Sequence, residues 1–536
     1  MPQPVERVGR PASPGIFAGP IIQLLRREAP DEEADCDALS EEDALRDAIE
    51  QATAELGALC DSAPEHAKGM VEFQLAMLED PSLLEPLMER IMTGRSAAYA
   101  WQSVMAAQIA DYEAAEDDYF RARAGDLADL GDRVLRLLAG DTDAALPAGA
   151  ILIGEDLPPS RFLEIDWSRG GAIALMRGSP LSHVAILARA RGVPMVTGLG
   201  EVPADGHSEA IVDGTAGRIV LSPDATARSS LAESTRAFAE KEKQAERYRA
   251  QAAVTTDGVA VKVMINVADP AETAAIDSDH CDGIGLMRTE FLFRDGRPLP
   301  DEEEQYRAYR RLLEWAGDKP VTVRTLDAGG DKPIAGLTPE HETNSFLGVR
   351  GLRLSLQRPS VFRVQLRALG RAAVHGNLKV MWPMVTVPEE FIAAAALFDE
   401  ELAAMRGQGI ACARPPLGMM IEVPFPALMP KLFGMAGFFS IGSNDLTQYL
   451  AAAARDNPAV SGLSDSAYPA VALVIGKLAG FAAARRVELS ICGDLASDAG
   501  KVPELLALGL RSLSVAPAAL GRVKAAVCRS RVGGDA

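Results

Sequence analysis

The chain has 536 residues, 48% of them apolar and 24% charged. This excludes a disordered polymer and exceeds what one hydrophobic core supports, so two or three domains are expected. A net charge of −21 excludes nucleic acid and anionic membrane surfaces, which repel it, and favours a basic protein partner.

The N-terminal MPQPVERVGRP lacks the apolar segment of a secretory signal. No uninterrupted apolar run of about 18 residues occurs either, so a cytoplasmic location without membrane insertion is expected. Cys36, Cys60, Cys281, Cys412, Cys492 and Cys528 have no CxxC spacing, which argues for reduced thiols rather than a zinc site or a disulfide framework.

From about Ser40 to Gly140, Ala, Leu, Glu and Arg dominate. Apolar residues recur every three or four positions in EFQLAMLEDPSLLEPLMERIM, which predicts an all-α module broken at Asp80 and Pro81. From Ala148 to about Pro223, short runs (GAILIG, GAIALM, PMVTG, EAIVDG, RIVLS) separated by glycine predict a small α/β domain. Inside it, RGSPLSHVAILARARGVP passes from a Gly/Ser/Pro loop into a helix. Ser182 is the expected N-cap, Gly192 and Pro194 the stop, and Ile186, Leu187 and Ala190 the buried stripe. His183 then stands at the electropositive end, where it either helps cap the helix or carries a phosphate. Residues 229–254 are helical and charged with few large apolar side chains, as in an exposed connector.

After Val259 come eight apolar runs: VAVKVMIN, GIGLMRTEF, VTVRTLDA, NLKVMWPM, PLGMMIEVP, GFFSIGSND, ELSICGD and SLSVAPA. Each is followed by helical or loop material, which predicts a (β/α)₈ barrel of the TIM type with its site at the C-terminal strand ends. Those ends carry Arg288 and Glu290, Arg324 and Asp327, Trp382, Glu422, Asn444 and Asp445, and Cys492. Arginine forks suit carboxylate and phosphate oxygens, while Glu422 and Asp445 suit Mg²⁺. The implied ligand is a small phosphorylated acid, with Arg455 beyond the sixth strand as a third positive group. Cys492 is either a small apolar filler or, protonated at neutral pH, a proton donor.

These motifs, with ASPGIFAGP, VRTLDAGGDK, NSFLGVRGLR and FFSIGSNDLTQY, give the chain a resemblance over nearly its whole length. It resembles the PEP-utilising enzymes and, among them, the Enzyme I phosphotransferases of the bacterial phosphotransferase system. The resemblance implies a multidomain α/β protein. Residues 1–24 with 145–225 form a swivelling phosphohistidine domain, 25–144 an inserted all-α domain that binds the carrier HPr, 226–255 a helical linker, and 256–536 the barrel, which also dimerises. It implies that His183 is phosphorylated, that Arg288, Arg324, Asn444, Asp445, Arg455 and Lys332 hold phosphoenolpyruvate, that Glu422 and Asp445 bind Mg²⁺, and that Cys492 protonates the enolate to give pyruvate. Three positions depart from the family pattern. Gly178-Ser179-Pro180-Leu181-Ser182-His183 replaces Gly-Gly-x-Thr-Ser-His, Asp494 replaces a glutamate, and Glu72-Phe73-Gln74 replaces a Glu-Gly-His patch, which points to a variant HPr. The altered loop before His183 also leaves open a regulatory protein that senses phosphoenolpyruvate without turnover.

Overall fold

The computed structural model describes residues 4–533 apart from 25–35, 63–64, 115–117, 141–147, 179–181, 204–205, 225–228, 230–235, 237–239, 241–242, 294–297, 331, 333, 335, 340–341, 343, 455–459 and 461. It divides into two compact units, Met1–Phe238 and Ala239–Ala536.

In the first unit eight strands form one sheet: β1 (Val5–Val8), β2 (Arg10–Ser13), β3 (Ile16–Leu24), β4 (Ile151–Gly154), β5 (Ala172–Leu175), β6 (Met195–Thr197), β7 (Glu209–Asp213) and β8 (Arg218–Leu221). Their order is β1-β8-β7-β3-β4-β5-β6-β2, parallel from β3 to β6 and antiparallel at the edges. β4 and β5 are buried at every position, as continuous apolar runs in a covered parallel sheet must be. Between β3 and β4 are inserted helices Ala38–Ser62, Glu65–Leu78, Pro81–Met92, Ala97–Ala114 and Asp118–Leu138. The break expected at Asp80 and Pro81 is there: the Asp80 carboxylate accepts the Ser82 N–H at 2.8 Å and Pro81 opens the third helix. One apolar cluster runs from the insert (Leu56, Leu83, Trp101, Leu130) into the sheet domain (Leu152, Phe162, Val184, Ala188).

In the second unit all eight expected runs are strands: β9 (Lys262–Val267), β10 (Ile284–Arg288), β11 (Val321–Arg324), β12 (Leu378–Trp382), β13 (Leu417–Ile421), β14 (Phe438–Gly442), β15 (Glu488–Cys492) and β16 (Ser512–Val515). All pair in parallel, and β16 returns to β9 to close the barrel. Side chains alternate between two layers. Leu417, Met419 and Ile421 of β13 face the helices. Met420 joins Leu286, Met381, Phe438 and Cys492 in a separate inner cluster.

The segment leading into the first barrel strand and the last helix of the chain meet at the barrel seam. Lys524, on the last helix Leu520–Arg529, is 3% exposed. Its ammonium donates to the carbonyls of Arg249, Gln251 and His280 at 2.8, 2.7 and 2.6 Å. A Cβ on Gly521 would lie 2.4 Å from the Ala245 carbonyl, so only glycine admits this approach. Of the expected connector, a helix over 243–249 is described; most of 229–242 lies outside the described residues. Ser466–Arg485, within helix Leu463–Arg485, is long and apolar enough to cross a membrane by length and composition alone. Its Val471, Val474, Ile475 and Leu478 are part of the barrel core.

Candidate active site

The helix carrying His183 spans His183–Arg191. The Ser182 hydroxyl accepts the Ala185 N–H at 3.3 Å, and Gly192 ends the helix with φ +67°, as the loop chemistry requires. Its buried face is wider than expected, with Val184, Ala185, Leu187 and Ala188 all buried. Ser179, Leu181 and the side chains of His183, Ile186 and Ala190 lie outside the described residues.

At the barrel mouth, strand alternation turns Arg288, Arg324 and Cys492 inward, and Glu422, one residue past β13, falls on the same face. Arg324 is 4% exposed. Its Nη2 lies 2.9 Å from Glu290 Oε1 and its Nη1 3.1 Å from Asp327 Oδ2. Asp327 is shared, because Arg350 Nη2 donates to both its oxygens at 3.2 and 3.1 Å. Arg350 Nη1 continues the chain, 3.5 Å from Asp445 Oδ1 and 3.5 Å from the Tyr449 hydroxyl. Burial works against these guanidinium charges, but the surrounding carboxylates outweigh it and raise both pKa values. Burial likewise disfavours the Asp327 carboxylate, and Arg350 and Arg324 overcome it, so its pKa falls.

Glu422 is 1% exposed and accepts the Met384 N–H at 2.7 Å. That N–H is aimed by a left-handed backbone at Met384, φ +52°. A Cβ at Gly442 would lie 2.8 Å from Glu422 Oε2, so the end of β14 must be glycine. Burial, then the nearby Asp327 and Asp445 charges, pushes the Glu422 carboxyl up to about 8. Asp445 Oδ1 is buried without a hydrogen bond. Two carboxylates in a dry mouth, one with an oxygen that makes no hydrogen bond and has only the Arg350 charge at 3.5 Å, the other disfavoured as an anion by burial and then by its acidic neighbours, fit a hard divalent cation. Among the described residues no group of three or more His, Cys, Asp and Glu could hold a metal. A cation that takes one or two carboxylates and completes its shell from water and phosphate needs none.

Cys492 contacts Ser440 Oγ at 3.8 Å and the Ile441 carbonyl at 3.4 Å. Burial pushes its thiol up to about 11, against the Ser440 hydrogen bond and the charges of Arg324 and Arg288. It keeps its proton at neutral pH. Ser443 donates to the Cys492 carbonyl at 2.7 Å, and Asn444 is held from two sides by Asp494: Oδ1 accepts the Asp494 N–H at 2.9 Å and Nδ2 donates to Oδ2 at 3.2 Å. The aspartate that replaces the family glutamate thus makes its contact directly.

The structure therefore brings Arg288, Arg324, Glu422, Asn444, Asp445 and Cys492 to one mouth. Lys332, bridged to Gly329 by backbone hydrogen bonds of 2.9 and 3.2 Å, is near enough for its charge to lower Asp327. Arg455 lies outside the described residues. Trp382 does not belong there. It points outward between Phe362 and Phe398, with ring centroids at 5.8 and 6.4 Å. Gln74, in the patch that departs from the family pattern, is fully buried and its amide donates to Asp129 at 2.8 Å. Arg350 and Tyr449 were missed as site residues. Neither ends a strand, and for Arg350 the available signals were Gly351 beside it in GVRGLR, with φ +57°, and Gly329 in DAGGDK, where a Cβ would strike Arg350 at 2.6 Å.

Three family models cover the chain: the PEP-binding domain of PEP-utilising enzymes matches residues 242–532, their N-terminal domain 8–123 and their mobile domain 146–217. The chain belongs to the PEP-utilising enzyme family. Within that family its relatives include the phosphoenolpyruvate-protein phosphotransferase of Geobacillus stearothermophilus, 37% identical over 95% of this chain and 90% of the relative. That of Enterococcus faecalis is 34% identical over 90% and 87%. The multiphosphoryl transfer protein of Rhodobacter capsulatus is 35% identical over 97% of this chain and 63% of its own length. A solved NMR structure of an Enzyme I protein (nEIt) covers 43% of this chain and 99% of its own, at TM-score 0.37 and 25% identity.

Proposed function

We propose that this enzyme takes the phosphoryl group of phosphoenolpyruvate onto His183, releases pyruvate, and passes the group to HPr or a variant of it. One observation carries the reading: Arg288, Arg324 and Arg350 converge with Glu422, Asp445 and Cys492 at the C-terminal end of one closed barrel. Phosphoryl transfer needs neutralised charge and in-line placement more than covalent help. Arg288, Arg324, Arg455 and Lys332 would grip the phosphate and carboxylate, with Asn444 and Asp445 alongside. Mg²⁺, held by Glu422 and Asp445, supplies further charge neutralisation when bound. The neutral ring nitrogen of His183 attacks phosphorus, the P–O bond to the enol breaks, and the enolate carbon takes the Cys492 proton to become pyruvate. The thiolate then recovers a proton from solvent.

The remaining organisation follows this chemistry. Residues 1–24 with 145–225 would swivel on the 226–255 linker between the 256–536 barrel and the carrier. Residues 25–144 would dock the carrier: they hold 29 acidic and 10 basic side chains, a net −19 of the chain's −21, which suits a basic partner. Phe425, Leu428, Leu432 and Met435 are exposed beside helix Leu463–Arg485, whose Leu463 and Leu473 are also exposed. We assign this face to a second copy in a homodimer. Cys60, Cys281, Cys412, Cys492 and Cys528 are free thiols, as suits the cytoplasm. The test is incubation with radiolabelled phosphoenolpyruvate and Mg²⁺. An acid-labile, base-stable label should form and be absent from His183→Ala; a label that persists in the variant refutes the assignment.

A further inference from the structure

A second buried ionic network, separate from the barrel mouth, lies where the helical insert meets the sheet domain. Its centre is Arg133 on insert helix Asp118–Leu138, with a side chain 1% exposed. Nη1 bonds Glu55 of helix Ala38–Ser62 at 2.7 Å. Nη2 reaches Ser160 at 3.4 Å and pairs with Glu164, both on helix Pro159–Glu164 of the sheet domain. One turn away, Asp129 accepts from Ser160 and, at 2.8 Å, from Gln74 of helix Glu65–Leu78. Asp129, Ser160 and Gln74 are at most 2% exposed, and Arg136 adds a second pair to Glu55 at 2.8 Å.

Burying this much charge is a poor source of stability, because an apolar replacement of the same shape is often neutral or better. What it supplies is direction. The apolar cluster spanning insert and sheet domain attracts without fixing an angle, whereas a guanidinium fork is satisfied in one orientation only. The helix it grips is also the one that supports the His183 helix: Phe162, fully buried, shares a cluster with Val184, Ala185 and Ala188, and the Arg191 guanidinium lies 5.8 Å from the Phe162 ring centroid.

We infer that Arg133, Asp129, Ser160 and Glu164 are positioning residues for the second phosphoryl transfer, fixing the carrier-binding insert relative to the His183 helix. The inference rests on the functional reading above. It predicts a split: loading of His183 at the barrel needs no particular insert angle, whereas delivery to a carrier seated on the insert does.

The test uses the full-length protein with Arg133→Met, Glu164→Gln and, as the mildest change, Ser160→Ala. Labelling of His183 from phosphoenolpyruvate should stay within about twofold of the unmodified protein. Transfer of the label to a purified bacterial HPr should fall by about ten- to a hundredfold in the first two variants, the scale expected of a misplacement near 1 Å, and less in Ser160→Ala. Equal losses in both steps, or unchanged transfer, overturn the inference. If the unmodified protein labels but passes nothing to HPr, the carrier part of the functional reading fails instead. Amide exchange over 159–164 then decides, because faster exchange in Arg133→Met supports the lock and unchanged exchange sinks it.

Discussion

Replacing Cys492 with serine should separate phosphoryl transfer from proton transfer. The thiol is 3% exposed, sits in the inner cluster with Met420 and Phe438, and has the Ile441 carbonyl at 3.4 Å. Raised to about 11 by burial, it carries its proton at pH 7.5 and can give it to carbon. A serine hydroxyl fills nearly the same space and keeps the same acceptor, but is a far weaker acid. General acid catalysis is worth about 10²–10⁴-fold, or about 2.7–5.4 kcal/mol, whereas the exchange should lower stability by only about 1 kcal/mol. In rapid-quench experiments the label should reach His183 at close to the normal rate while pyruvate, read with lactate dehydrogenase, lags by about a hundredfold or more. Pyruvate appearing in step with the label would refute the assignment. The thiol also predicts a pH effect on stability. Its folded value lies above the ordinary 9.0, so its contribution is complete below pH 9 and lost as pH rises towards 11. Unfolding measured at pH 8.5 and 10.5 should show a smaller loss for Cys492→Ser than for the unmodified protein.

Two other substitutions probe the barrel. Arg324→Met strips a partner from both Glu290 and Asp327 in a dry site, so it should lower barrel stability by about 3–5 kcal/mol and abolish labelling from phosphoenolpyruvate; denaturant titration and the label assay check the two effects, and an unchanged midpoint would contradict the ion-pair geometry. Leu473→Glu places a charge on the exposed face of helix Leu463–Arg485 and should shift the protein towards monomer in light scattering, while a mass identical to that of the unmodified chain would remove this face from the interface.

Parallel barrel strands are buried on both sides, so they read as short apolar runs and all eight could be found without coordinates. Their polar ends could be found too, and alternation explains the one rim residue misplaced. Lys379 and Met381 face inward on β12, so Trp382 must face the helices. Arg350 was harder to see, because it comes from a loop and reaches the mouth through left-handed glycine geometry that no periodicity encodes. The burial of Gln74 is invisible to periodicity for a related reason: its partner Asp129 lies 55 positions away in the chain. On the His183 helix the cap was legible because Ser182 and Gly192 act locally. The width of its buried face was not, since the packing of helix Pro159–Glu164 decides it.

The Lys524 cage works as a buckle. A closed barrel has no sheet edge, yet its chain still begins and ends somewhere, and here three carbonyls from before and after β9 converge on one ammonium from the final helix. An arginine could not replace it, since a flat fork cannot serve three oxygens gathered around a point. The segment that leads into the first strand is therefore tied to the last helix at residues 249–251, and strain on it is met there before it reaches the pairing of the first and last strands.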